Sequence, residues 1–272
     1  MIQKGWRIMK AVVILCMFMS FVMSSPGQET TILQLYRTIL AQSSEEKAPA
    51  AEGIYGKLNG VATLPGAEVG VILPLAFQCV HSPKVEVREA GYAFFISVLI
   101  RFDSASLLGP YVDDLGKLVD EKDNARRQLV FFILGSLNPK VPAKAIDYLT
   151  ANLESSRNSN EEALTIAASL LQATPGDTLI LHKVILLARV RSDAGLTSGV
   201  LRQLGLTKSR LPEAMDFISA NLNQGDRASA VDAVSRLDKD KRVQFSPQLD
   251  RIASDPKEDR YVRSQASAAL KP

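Results

Sequence analysis

Asp255-Pro-Lys-Glu-Asp259-Arg-Tyr-Val262-Arg263-Ser-Gln-Ala266-Ser-Ala-Ala-Leu270 lies two residues short of the end of the 272-residue chain. A turn of aspartate and proline leads into Val262, Ala266 and Leu270, which recur every four residues and so share one side of a helix. Val87-Arg88-Glu89-Ala90-Gly91, with Phe95 four residues beyond, opens another helix on the same template. Asp120-Glu-Lys-Asp123-Asn-Ala125-Arg126 repeats it with Ala in the first apolar place, followed by Leu129 and Ile133. Weaker copies begin at Ala163 (with Ala167 and Leu171), Leu196 (with Val200 and Leu204) and Ser229 (with Ala233 and Leu237). The starts at 87, 125, 163, 196, 229 and 262 are 38, 38, 33, 33 and 33 residues apart, an interval that marks a repeat architecture.

Between these helices the chain is also helical in pattern. Ile32, Leu33, Leu35, Tyr36 and Leu40 form one stripe, Ile146, Leu149 and Leu153 another, and Leu211, Met215, Ile218 and Leu222 a third. Short breaks separate them at Ser82-Pro83, Asn138-Pro139, Thr174-Pro175-Gly176-Asp177, Gln224-Gly225-Asp226 and Ser254-Asp255-Pro256. Asp and Ser at such breaks accept hydrogen bonds from the first free amides of the next helix. The pattern predicts an all-α fold of about twelve to fourteen helices, with links short enough to force consecutive helices antiparallel. Each hairpin leaves an apolar face that only a stacked neighbour covers, so the expected architecture is an α-solenoid, with an irregular helical domain as the alternative. The small residues Gly91, Ala167, Ala233 and Ala266 would let helices approach closely.

These segments resemble the second helix of a HEAT repeat, particularly the short bacterial kind named after phycobilisome lyases. That pattern has a turn Asp, then Val-Arg, a small residue three after the Arg, and a Leu four further on. Residues 255–270 match it closely, whereas Leu129 stands where a small residue is expected. The resemblance implies a HEAT-like superhelix of antiparallel pairs over residues 66–272, preceded by an N-terminal helical cap and loop at 28–65. It also implies that the arginines of the pattern, Arg88, Arg126 and Arg263, form a structural ladder with turn aspartates, here Asp123 and Asp259. No activity is carried over with it, because the repeats in that family are scaffold.

The first 27 residues are of a different kind. Lys4, Arg7 and Lys10 precede an uncharged run from Ala11 to Met23, then Ser24, Ser25, Pro26 and Gly27. This is the order of a secretory signal peptide, and thirteen residues rise only about 20 Å as a helix, short of a bilayer core. Residues 1–27 are therefore expected to be removed on export to the periplasm or the cell exterior, leaving no membrane attachment. The alternative is a tether by residues 6–23, with Trp6 and Ile8 extending the span. Of 32 Lys and Arg, those three lie in residues 1–27, and the 29 that remain balance 29 Asp and Glu, so the remainder is formally neutral. No clustered positive field is left for phosphates, which argues against nucleic acid as a partner. Cys16 leaves with the signal, so Cys79 has no internal disulfide partner.

Chemistry-bearing motifs are sparse. His81 follows Cys79 by two residues, but zinc needs three or four converging ligands, so no metal is expected. No nucleophile elbow, metalloprotease helix, phosphate loop or dinucleotide fingerprint occurs, and no cofactor is expected. Adjacent carboxylates at Glu45-Glu46, Asp113-Asp114 and Glu161-Glu162 read as solvated helix starts rather than an acid–base pair. The residues of 44–66, with four glycines, read as a short helix around 50–58 followed by a loop. The expected function is a non-enzymatic scaffold that binds an unidentified protein or peptide. The alternative is an enzyme or ligand carrier with a site on the concave face, whose one candidate is a convergence of His182, Arg189 and Arg191. Oligomeric state is not encoded legibly.

Overall fold

The computed structural model describes residues 29–41, 58, 61, 64–101, 103–120, 123–155 and 157–271. The signal-peptide expectation for 1–27 and most of the 44–66 reading lie outside the described residues. Among those that are described, the regular structure is fifteen α-helices and three short 3-10 turns, with no strand. The chain divides into two compact units, one ending at Leu115 but adding Ser136–Pro142, the other formed by Gly116–Gly135 and Ala143 onward.

The first unit contains α1 (Glu29–Ala41), α2 (Gly66–Val80), α3 (Val85–Leu99) and α4 (Ser104–Leu108), and α5 (Val112–Lys117) runs across its boundary. Helix α1 packs on α2 and α2 on α3. Tyr36 is fully buried, donates its hydroxyl to the Ala90 carbonyl at 2.7 Å, and meets Phe94 edge-on at 5.2 Å. Phe77 joins Phe95 and Tyr111, each with ring centroids 4.6 Å apart. Gly91 lies where α2 and α3 come closest: a β-carbon there would stand 2.6 Å from the Ala76 carbonyl oxygen. The Arg101 guanidinium donates to the Val61 carbonyl at 2.9 Å and to that of Leu64. Asn138, at one of the anticipated breaks, takes its amide to Ser104 Oγ at 2.8 Å and accepts from the Ala105 amide at 2.7 Å.

The second unit continues with α6 (Asn124–Gly135), α7 (Ala143–Leu153), α8 (Asn160–Ala173), α9 (Thr178–Arg191), α10 (Ala194–Leu206), α11 (Pro212–Gln224) and α12 (Arg227–Arg236). After the short α13 (Lys239–Arg242) come α14 (Ser246–Ser254) and α15 (Arg260–Ala269). The helices pack in sequential pairs: α7 on α8, α9 on α10, α11 on α12 and α14 on α15. Alternate helices also touch, α6–α8–α10–α12–α15 in one succession and α9–α11–α14 in another. Gly205 of α10 lets Ala233 of α12 approach so closely that a β-carbon would sit 2.8 Å from the Ala233 α-carbon.

Helix starts follow the capping chemistry read from the sequence. Asp177, Asp193, Asp226 and Asp259 each accept from amides of the turn they precede. Ser159 caps α8 in a reciprocal box with Glu162. The apolar columns are buried at Val87, Ala163, Leu196 and Val262 and at their followers Gly91, Ala167, Val200 and Ala266. Ala125 departs from this: it is exposed on α6 and Leu129 is half-buried, while Arg127, Val130 and Phe131 face inward. Residues 104–120 form two short helices joined and followed by 3-10 turns. Gly109-Pro110 and Gly116 weaken helix there.

Candidate functional site

The proposed arginine ladder resolves into separate local contacts. Arg126 Nε lies 3.3 Å from Asp123 Oδ2, and Asp123 Oδ1 accepts from the Ala125 amide at 3.0 Å. Asp259 spends its Oδ1 on the amides of Tyr261 (2.8 Å) and Val262 (3.3 Å). Arg263 Nε is buried without a hydrogen-bond partner. Arg88 donates Nη1 to the Ser82 carbonyl at 2.6 Å, and its Nε also lacks a partner. The turn aspartates thus serve first as caps, and only Asp123 takes an ion pair with its pattern arginine among the described contacts.

His182, Arg189 and Arg191 share α9 but do not converge. His182 Nδ1 meets Glu213 Oε1 of α11 at 3.0 Å. Arg189 places its guanidinium 5.8 Å from the centroid of the Phe217 ring. Arg191 turns toward the turn preceding α8, donating to the Ser155 and Asn158 carbonyls at 3.0 Å and to Asn160 Oδ1 at 3.1 Å. Cys79 is buried in α2 and desolvation pushes its thiol up to about 12, whereas His81 is exposed at the helix end. Among the described residues no three His, Cys, Asp or Glu side chains gather as a metal site would require. The described cavity, about 440 Å³ and wide open, is lined by Gln224, Asp226, Arg227, Glu258 and Val262, with Arg227 and Glu258 already paired at 2.6 Å.

Glu162 corrects one reading. It stands at a helix start as expected, but it is 1% exposed rather than solvated, unlike Glu161. Its Oε1 meets Arg127 Nε at 2.9 Å, Oε2 meets Arg127 Nη2 at 3.2 Å, and Oε2 also accepts the Ser159 amide at 2.7 Å. A carboxylate with three donors tolerates burial where a bare one would not. The Ser-x-x-Glu spacing of a capping box was visible in the sequence; the arginine 35 residues upstream was not.

Polar side chains elsewhere in this unit tie neighbouring pairs, from 37 residues apart at Gln128–Thr165 to 28 at Asn223–Arg251, with 31 recurring. Gln172–Gln203, His182–Glu213, Ser198–Ser229 and Arg227–Glu258 all span 31 residues. Ser219–Gln248 spans 29 and Lys208–Asp238 spans 30. Asp238 also pairs with Arg210, and these two cations hold its carboxyl below the usual carboxylate range, Arg210 contributing most. Among known proteins, no family model matches the chain and no curated protein matches it. No helix of the described residues is long and apolar enough to cross a membrane.

Proposed function

We propose that the protein is an exported, non-enzymatic scaffold, a HEAT-like α-solenoid that binds a protein or peptide partner through the surface of its stacked helix pairs. The observation that supports this reading is the 31-residue polar tie: side chains two residues short of the 33-residue interval meet across adjacent pairs, as neighbouring positions of a stacked array do. Two further features support it. The caps Asp193, Asp226 and Asp259 recur at 33-residue steps, and the one candidate polar cluster, at His182, Arg189 and Arg191, disperses to three different neighbours. Export is supported by the basic start and apolar run of residues 4–23.

Crosslinking in the native envelope, followed by capture of the protein and mass spectrometry, tests the function. A reproducible partner crosslinked to lysines on one face is the expected result. Efficient capture with no partner above control overturns it. The intact mass of the same material tests export: loss of about 27 residues is expected, and retention of Trp6 would favour the tether.

A further inference from the structure

Three of the nine large hydrophobic residues most exposed in the described structure lie on one helix. Leu179, Leu186 and Val190 of α9 are 63%, 47% and 72% exposed. They stand at i, i+7 and i+11, a single stripe along the outward side. The helices that occupy the equivalent place in the other pairs, α7, α11 and α14, expose none, and show Lys144, Asp147, Asp216, Asn223, Asp250 and Arg251 instead. Packing within the chain does not account for the difference, because α9 already buries Ile180, Leu181, Val184, Ile185, Leu187 and Ala188 on its inner side.

The charge on α9 is one-sided. Its fourteen residues include Lys183, Arg189 and Arg191 and no acid. Lys183 is matched by Glu154 at 3.3 Å and Arg191 is held by carbonyls, but Arg189 has no carboxylate in ion-pair range among the described residues. We infer that this face docks an amphipathic helix of a partner protein, about three turns long, whose apolar side covers Leu179, Leu186 and Val190 and whose carboxylate meets Arg189. The length follows from a stripe of eleven residues, or about 16 Å, and the mode is helix against helix face. An anionic bilayer fits less well. Exposed Asp216 flanks the stripe on α11, and Glu154 and Glu213 already stand on Lys183 and His182, so the face offers Arg189 alone to lipid phosphates.

This inference rests on the scaffold reading, and the experiment separates their failures. A photo-crosslinking amino acid is placed at Val190, and as a control at Ser264 on the exposed side of α15, in the full chain expressed in its own envelope. A protein crosslinked from 190 and not from 264, through an acidic amphipathic segment, is expected. A partner caught only from 264 overturns the α9 site and leaves the scaffold standing, whereas no partner from either position overturns both. In parallel, a phage-displayed library of three-turn helical peptides is selected on the purified full chain. Clones with an apolar stripe and Glu or Asp beside it should be enriched. They should bind Val190→Ser at least about tenfold more weakly, and Arg189→Glu should move the enrichment to clones with Lys or Arg. Lack of enrichment, clones indifferent to both substitutions, binding of the bare protein to phosphatidylglycerol vesicles, or self-association through residue 190 each overturns the proposal. Both substitutions are at exposed positions, and helical circular dichroism should be unchanged.

Discussion

Glu162 and Arg127 are 1% and 8% exposed and hold each other by two hydrogen bonds. Removing one partner leaves the other charge buried, so Glu162→Ala is expected to cost about 3–5 kcal/mol, read from urea unfolding of the purified chain. Glu161→Ala, one residue away and exposed, should change stability by less than about 0.5 kcal/mol. Asp238 makes the contrasting case at the surface. Its folded carboxyl titrates below the ordinary 3.8 because Arg210 and Lys208 favour the charged form. The stabilisation is therefore present above the ordinary value and is lost as pH falls through the depressed one. Asp238→Asn should lower the midpoint of thermal unfolding at neutral pH, and the two proteins should converge as pH falls through the depressed carboxyl pKa. Salt should narrow the neutral-pH gap, since the pair is exposed.

At the scale of helices, what the sequence made legible was local chemistry. Every anticipated break falls at a helix end or between two helices, and Asp177, Asp226 and Asp259 cap as their positions beside those breaks suggest. Non-local features were not legible. Nothing in the spacing of either residue signals the pairing of Arg127 with Glu162, and the buried column of α6 lies off the register that placed Ala125 inward. The outward stripe of α9 was hidden for a related reason. Leu179, Leu186 and Val190 stand among Ile180, Leu181 and Val184, and periodicity alone does not say which side of so apolar a helix meets its neighbours. Close approach, by contrast, was readable at Gly91. Gly91→Val puts a branched side chain against the Ala76 carbonyl and should destabilise the first unit by about 3 kcal/mol, seen as a lower unfolding midpoint.

Across the second unit, burial is uneven from one pair to another. Helix α8 buries seven residues between neighbours on either side, whereas α15 buries Val262, Ala266 and Ala269 and α14 buries Leu249 and Ile252. Helices with few buried apolar residues open at lower free energy than those with many. Amide exchange in α14 and α15 is expected to be faster than in α8, and equal protection across all three would contradict that picture.

The equal steps between Asp193, Asp226 and Asp259 have a consequence for how such a chain can grow or shrink. Excision of residues 194–226 would bring Asp193 directly before Arg227, so the aspartate that starts α10 would start α12 instead. Helix α9 would then precede α12 as α11 does now, with no new junction to invent. A deletion of this one length at this place therefore keeps an aspartate directly before the next helix, whose first amides stay capped.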